Sequence, residues 1–307
     1  VFSDCRVDDA RLTILTAMSA REKGATILTR TKFLAGRREN GAWAADLEDV
    51  HNGARRTVAA TAIVNAAGPW VSQVLQGVPH KVTGAKVRLV KGSHIVVPKV
   101  HSLDHACILQ NTDKRVIFVI PFEGKYSLIG TTDIPVETPE EAVDITNKET
   151  KYLIEAANRY LAKPIAEKDV VWTFAGVRPL FDDGSGSGAS SISRDYHLEL
   201  QQAPSGAPVL TVYGGKITTY RRLAEHALEL LGPLLGLPQE GSWTADVALP
   251  GGDLAGEDLP AFTTGAQARW PRMPSSLVAR LARTYGTRMA RVLGDARHAG
   301  DLGPCTV

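Results

Sequence analysis

Val209-Leu210-Thr211-Val212-Tyr213-Gly214-Gly215-Lys216-Ile217-Thr218-Thr219-Tyr220 is the stretch that decides the fold class. Its first five residues are apolar or β-branched and predict a buried strand. Two glycines then predict a tight turn. From Thr218 to about Leu231 a helix follows, with Leu223, Ala227, Leu228 and Leu231 on one face. Glycines between a strand and a helix let the backbone approach a ligand, and the helix N-terminus offers free N–H groups and a partial positive charge. The P-loop pattern GxxxxGK[ST] is excluded, because it needs Gly at 210 and a hydroxyl directly after the lysine, where the sequence has Leu210 and Ile217. Taken alone, the segment is either a ligand turn or a plain tight turn.

Working outward, Asp8 and Asp9 cap an expected helix with Leu12, Leu15 and Met18 on one face, stopped by Gly24. Asn40-Gly41 and Asn52-Gly53 are turn signals, so residues 25–66 read as a small meander ending in a buried strand at 60–66. Strands are expected at 93–98, 115–121 and 126–130. Thr146 with Glu149 forms a capping box for a helix carrying Tyr152, Leu153, Ala156, Tyr160 and Leu161, which Pro164 ends. Residues 184–188, Gly-Ser-Gly-Ser-Gly, read as a loop between strands. A boundary is expected near 240, followed by a basic helical stretch at 275–293.

A chain of 307 residues with 44% hydrophobic and 22% charged content is globular in composition. Net charge +2 is too near balance for nucleic acid binding by bulk electrostatics. Cys5, Cys107 and Cys305 form no CxxC pair, which argues against a disulfide framework or a metal site and fits a reducing, cytoplasmic setting. No run of 18 apolar residues exists and the start has no signal-peptide pattern, so neither a membrane span nor secretion is expected. The missing initiator methionine leads us to expect a segment of a longer protein.

Several other segments have the chemistry of a site. Asn65-Ala66-Ala67-Gly68-Pro69-Trp70 puts small residues at a strand end, where a planar ligand can lie against the backbone. Lys91-Gly92-Ser93-His94 brings a histidine to an expected strand start, with a pKa range suited to a base and an ordinary hydrogen-bonded role as the alternative. Arg178, in Gly176-Val177-Arg178-Pro179-Leu180, and Arg194, in Ser193-Arg194-Asp195-Tyr196, are each suited to a phosphate or to a surface ion pair.

These segments, with Gly130-Thr131-Thr132-Asp133 and 214–220, occur in the order found in FAD-dependent glycerol-3-phosphate dehydrogenases, which the chain resembles over nearly its whole length. The resemblance implies an α/β (α+β) flavoprotein fold of the amino-acid-oxidase type: part of an FAD-binding domain at 1–86 and 201–240, an antiparallel-sheet substrate domain at 87–200, and part of a helical C-terminal domain at 241–307. The family's N-terminal GxGxxG is absent from these residues.

By the same resemblance the cofactor is FAD, bracketed by Gly214, Gly215, Lys216, Ile217 and Thr218, with Ala66, Gly68 and Trp70 along it and Lys32 near its adenine. His94 is the implied base, Arg178, Arg194 and Lys216 the implied cations for substrate, and Arg178 and Lys216 also share the catalytic work. The implied reaction takes sn-glycerol 3-phosphate to dihydroxyacetone phosphate and passes electrons to a membrane quinone. The protein would sit peripherally on the inner face of the cytoplasmic membrane, with a homodimer open, no metal and no nucleic acid. An oxidase of the same family, or a scaffold that binds no flavin, are the alternatives. The arginines at 269, 272, 280, 283, 288 and 291 are either a solvated face or a lipid contact.

Overall fold

A computed structural model describes residues 7–81, 86–142, 144–182, 195–202, 206–238 and 241–303. The chain divides into two compact units, residues 30–240 and residues 1–29 with 241–307. Helix α1 (Asp9–Glu22) opens the smaller unit, its N-terminus capped by the Asp8 carboxylate, which accepts from Arg11 N–H.

The larger unit starts with the meander β1 (Thr31–Glu39), β2 (Ala42–Asp49) and β3 (Arg55–Ala60), all antiparallel. Asn40 and Gly41 turn its first hairpin at φ 50° and 79°, the left-handed region that Asn and Gly tolerate. The expected single strand at 60–66 is instead the end of β3 and a three-residue strand β4 (Ile63–Asn65). It is not buried throughout: Val64 is 50% exposed. The apolar run marked β-propensity correctly, but among the described residues β4 pairs with β12 alone. After β4 come the turn Gly68–Trp70 and helix α2 (Val71–Gln76).

A six-stranded sheet forms the centre of this unit, made of β5 (Lys86–Pro98), β6 (Cys107–Gln110), β7 (Val116–Phe122), β8 (Tyr126–Gly130), β9 (Ile134–Val136) and β10 (Trp172–Asp182). Its order is β10-β5-β8-β7-β6, with β9 on the same edge of β5 as β8. The strand predicted from 93 starts seven residues earlier, so His94 lies inside a strand and not at its start. Pairing of residues 86–96 with β10 overrides the local break suggested by Gly92.

One face of this sheet is the core. Ile95, Val97, Ile117, Val119 and Ile129 pack against Leu153, Ile154, Ala156 and Ala157 of helix α3 (Asn147–Asn158). Each fully buried large side chain contributes roughly 1.5–3 kcal/mol. The Thr146–Glu149 capping box starts α3, which ends before Tyr160 and Leu161. Alternation then sends His94, Phe118, Phe174 and Arg178 to the other face.

A third sheet joins β11 (Tyr196–Gln201), β12 (Val209–Gly214) and β4, with β12 parallel to β4 and antiparallel to β11. Helix α4 (Tyr220–Leu235) follows, entered through a tight turn at Ile217–Thr219 and closed by Gly236 at φ 65°. The loop at 184–188 lies outside the described residues.

In the smaller unit, α5 (Leu259–Arg269), α6 (Ser275–Tyr285) and α7 (Met289–Leu293) close a core of Ala266, Met273, Leu277, Val278, Leu281, Ala282, Met289 and Leu293. The helical stretch expected at 275–293 is thus two helices, broken at Gly286. Arg288 grips Glu22 of α1 with two hydrogen bonds of 2.7 and 2.8 Å. Among the described residues, no helix is long and apolar enough to cross a membrane.

Candidate functional site

The open face of the central sheet carries the site. Strand register sets His94 opposite Gly130 of β8 on one side and Phe174 of β10 on the other. The imidazole stacks on the Phe174 ring at 4.7 Å and 11°. It lies flat over Gly130, where an added Cβ would fall 2.0 Å from His94 Cδ2. Glycine at 130 is therefore a requirement of the imidazole's position.

Two residues toward the start of β5, Gly92 plays the same part for Arg178. An added Cβ there would meet Thr131 Oγ1 at 2.5 Å and Arg178 Nη2 at 2.7 Å. The guanidinium bridges to Asp133 Oδ1 at 2.6 Å and Thr131 Oγ1 at 2.8 Å, and reaches the Thr132 carbonyl at 3.5 Å. Opposite Gly92 on β10 is Gly176, and around its missing Cβ there is open space to 4 Å. The result is a shallow floor with an imidazole at one end and a guanidinium at the other, two strand positions or about 7 Å apart along β5.

Residues 131–133 interrupt the ladder on that edge of β5, since β8 pairs up to Gly130 and β9 begins at Ile134. The Ser93 N–H facing the gap is satisfied by Thr132 Oγ1 at 3.0 Å. Behind it lies a buried network. Glu149 accepts from Lys91 Nζ at 3.0 Å, Ser93 Oγ at 2.5 Å and Thr132 Oγ1 at 3.0 Å. Lys91 also donates to the Asp144 carbonyl. Burial works to raise the Glu149 pKa, but the hydrogen bonds from Ser93, Thr146 and Lys91 outweigh it and hold the carboxyl at about 2.

Because its pKa in the folded chain lies below the ordinary value of 4.5, Glu149 contributes stability that is fully present above pH 4.5 and lost as pH falls toward 2. Thermal melts over that range should fall less steeply for Glu149→Gln than for the parent chain; parallel curves would refute the assignment.

The parallel pair β4 and β12 shapes a second region. Both strands end at the same side, and the carboxyl ends of parallel strands form ligand crevices. From β4 emerge Ala66, Gly68 and Trp70; Gly68 has φ 55° and open space where a Cβ would be. Asn65 holds this turn by donating to the Val71 carbonyl at 2.9 Å. From β12 emerge Gly214 and Gly215, at φ 71° and 93°, then the exposed Lys216 and Ile217 and the half-buried Thr218. Behind the turn, burial and the nearby Glu199 carboxylate push the Tyr213 hydroxyl up to about 12.

A Cβ on Gly214 would lie 2.9 Å from the Asp195 carbonyl and 3.4 Å from Phe181 N of β10, three residues beyond Arg178. The glycine turn and β10 are thus neighbours. Lys32 is elsewhere, exposed on the meander opposite Glu48. Arg194 lies outside the described residues.

The motifs that contain Gly92, Gly130 and Asp133 carry no local mark of the close packing these residues serve, and the Thr146–Glu149 spacing marks Glu149 as a cap alone. Phe174 went unnoticed. Lysine and serine between apolar positions of β5 are the one sequence sign of the buried network.

A model of the family described as FAD dependent oxidoreductase matches residues 1–221. The chain is 48% identical to a D-erythritol 1-phosphate dehydrogenase of Brucella abortus and 45% identical to an aerobic glycerol-3-phosphate dehydrogenase of Escherichia coli. Each match covers 98% of this chain and 60% of the relative, so the chain spans less than two thirds of their length. A glycerol-3-phosphate dehydrogenase from Bacillus halodurans, solved with FAD, superimposes with a TM-score of 0.80 at 30% identity, covering 95% of this chain and 56% of that one. With its central antiparallel sheet, parallel strand pair and glycine turn, this chain belongs to the FAD-dependent oxidoreductase family.

Proposed function

We propose that this chain is the flavin- and substrate-binding body of a dehydrogenase that oxidises sn-glycerol 3-phosphate to dihydroxyacetone phosphate. The observation that carries this reading is the open floor at Gly176 beside His94, which covers Gly130, and Arg178, which covers Gly92. A polyol phosphate needs a base at its secondary hydroxyl and a cation a few ångströms away at its phosphate.

FAD, when bound, supplies the hydride acceptor and passes the electrons on to a quinone. The residues fit such a group: two glycines at positive φ and an open Gly68 flank the carboxyl ends of β4 and β12. In this reading Gly214, Gly215, Lys216, Ile217 and Thr218 bracket the ring system, and Ala66, Gly68 and Trp70 lie along the cofactor. Lys32 belongs to the adenine end.

His94 takes the proton from the C2 hydroxyl, its ring held in orientation by Phe174. Arg178 holds the phosphate, with Asp133 and Thr131 fixing the guanidinium plane. Lys216 and Arg194 complete the cationic side of the site. Residues 30–86 and 201–240 serve the cofactor, 87–200 the substrate, and 241–307, which form one unit with 1–29, are part of a helical C-terminal domain.

Peripheral attachment to the inner face of the cytoplasmic membrane and a homodimer complete the proposal. Exposed Arg272, Arg280, Arg283 and Arg291 support the first. Arg288 does not, being engaged by Glu22.

In the flavin-loaded enzyme, His94→Ala should slow single-turnover bleaching of the flavin roughly 10²- to 10⁴-fold while substrate affinity changes little. Arg178→Ala should mainly raise KM, by about 10- to 100-fold. A protein that is colourless and takes up no added FAD would overturn the reading. D-Erythritol 1-phosphate is the second substrate to assay, because a relative at 48% identity bears that name and the space above Gly176 is open. The larger kcat/KM decides between them.

A further inference from the structure

The reverse side of the His94 strand holds an ionised carboxylate that the proposed reaction does not touch. Glu149 is 3% exposed and its partner Lys91 is 5% exposed. Burying such a pair brings little net stability compared with apolar residues of similar volume. A helix cap needs no such burial either. The use made of each oxygen separates the two jobs of this side chain.

Glu149 Oε2 accepts from Thr146 N–H at 2.9 Å, Thr146 Oγ at 2.8 Å and Lys91 Nζ at 3.0 Å, which completes the α3 cap and neutralises the charge. Oε1 plays no part in the cap. It accepts from Ser93 Oγ and Thr132 Oγ1. A threonine hydroxyl has one proton to donate and can still accept. Thr132 donates to Glu149 and accepts from Ser93 N–H, so both capacities are used and its position is determined. The residue before it, its own carbonyl and the residue after it all accept from the Arg178 guanidinium.

We propose that Glu149 is a positioning residue for Arg178, acting through Thr132: its Oε1 pins the 131–133 interruption against β5, and that interruption sets the guanidinium over Gly92. The proposal rests on the reading of Arg178 as the phosphate-binding group. A guanidinium whose holding loop can shift binds a phosphate less tightly, even when the fold survives. Thr132 and Glu149 thus control affinity for the phosphate end and leave proton transfer at His94 alone.

The test is steady-state kinetics on the flavin-loaded enzyme with sn-glycerol 3-phosphate, together with thermal melts. Thr132→Val and Glu149→Gln should each raise KM about tenfold with kcat held within about twofold, and Thr132→Ser, which keeps the hydroxyl, should restore the parent KM. Ile154→Val, a core change on the same helix, should lower the melting temperature without moving KM. If Thr132→Val loses melting temperature but keeps its KM, or if Ile154→Val raises KM as much, the network is only structural and the proposal falls. Should Glu149→Gln fail to fold, the Thr132→Val and Thr132→Ser pair decides alone. If Arg178→Ala itself leaves KM unchanged, the site reading fails, and this inference with it; if Arg178→Ala raises KM but the Thr132 and Glu149 variants do not, only this inference fails.

Discussion

Gly130→Ala should remove nearly all turnover while leaving the protein folded. The new methyl would sit 2.0 Å from His94 Cδ2, well inside van der Waals contact, and one of the two groups must move. Gly130 is held by ladder pairing to both His94 and Phe118, so the backbone resists and the imidazole swings away. It then leaves the Phe174 stack and loses its line to the substrate hydroxyl. The rate should fall roughly 10²- to 10⁴-fold, matching the loss of a general base. Single-turnover flavin reduction in Gly130→Ala and His94→Ala should agree, and the double variant should be no slower than either. A Gly130→Ala enzyme with parent rates would mean that His94 does its chemistry from another position, or none.

Lys91→Met should produce the largest loss of stability. The substitution keeps the apolar stem of the side chain and removes the cation beside a carboxylate that is almost wholly buried. Removing one partner of such a pair costs about 3–5 kcal/mol, because the remaining charge stays desolvated. Ser93, Thr132 and Thr146 still donate to Glu149, which puts the expected value near the lower end. The double variant Lys91→Met with Glu149→Gln removes both charges and should recover most of the loss. Urea unfolding of the four proteins measures the coupling. A single-variant loss under about 1 kcal/mol would show that water reaches the pair, in the range of exposed ion pairs.

The elements most legible in the sequence were those whose signals are short-ranged. Asp8 capping α1, the Thr146–Glu149 box and the Asn40-Gly41 hairpin each involve groups within four residues of one another, and each stands in the structure as read. Where neighbours in space are remote in sequence, local signals fall short. β5 begins at Lys86, not at Ser93, because β10 pairs with it from some ninety residues away. β4 is short, and among the described residues β12 alone borders it.

The strand, glycine turn and helix at 209–220 were plain in the chain itself, because apolar patterning, two glycines and an amphipathic period are local facts of covalent order. So were the residue types of the proposed phosphate site. Tertiary structure alone settled which of them meet. Arg178 comes to Thr131 and Asp133, and Glu149 to Ser93 and Thr132, across separations of 17 to 56 residues. The cause is strand register: with side chains alternating at every residue, a slip of one position in β5 would send His94 into the core and Glu149's partners to the solvent side. No local signal carries that choice; it follows from which apolar face packs on α3.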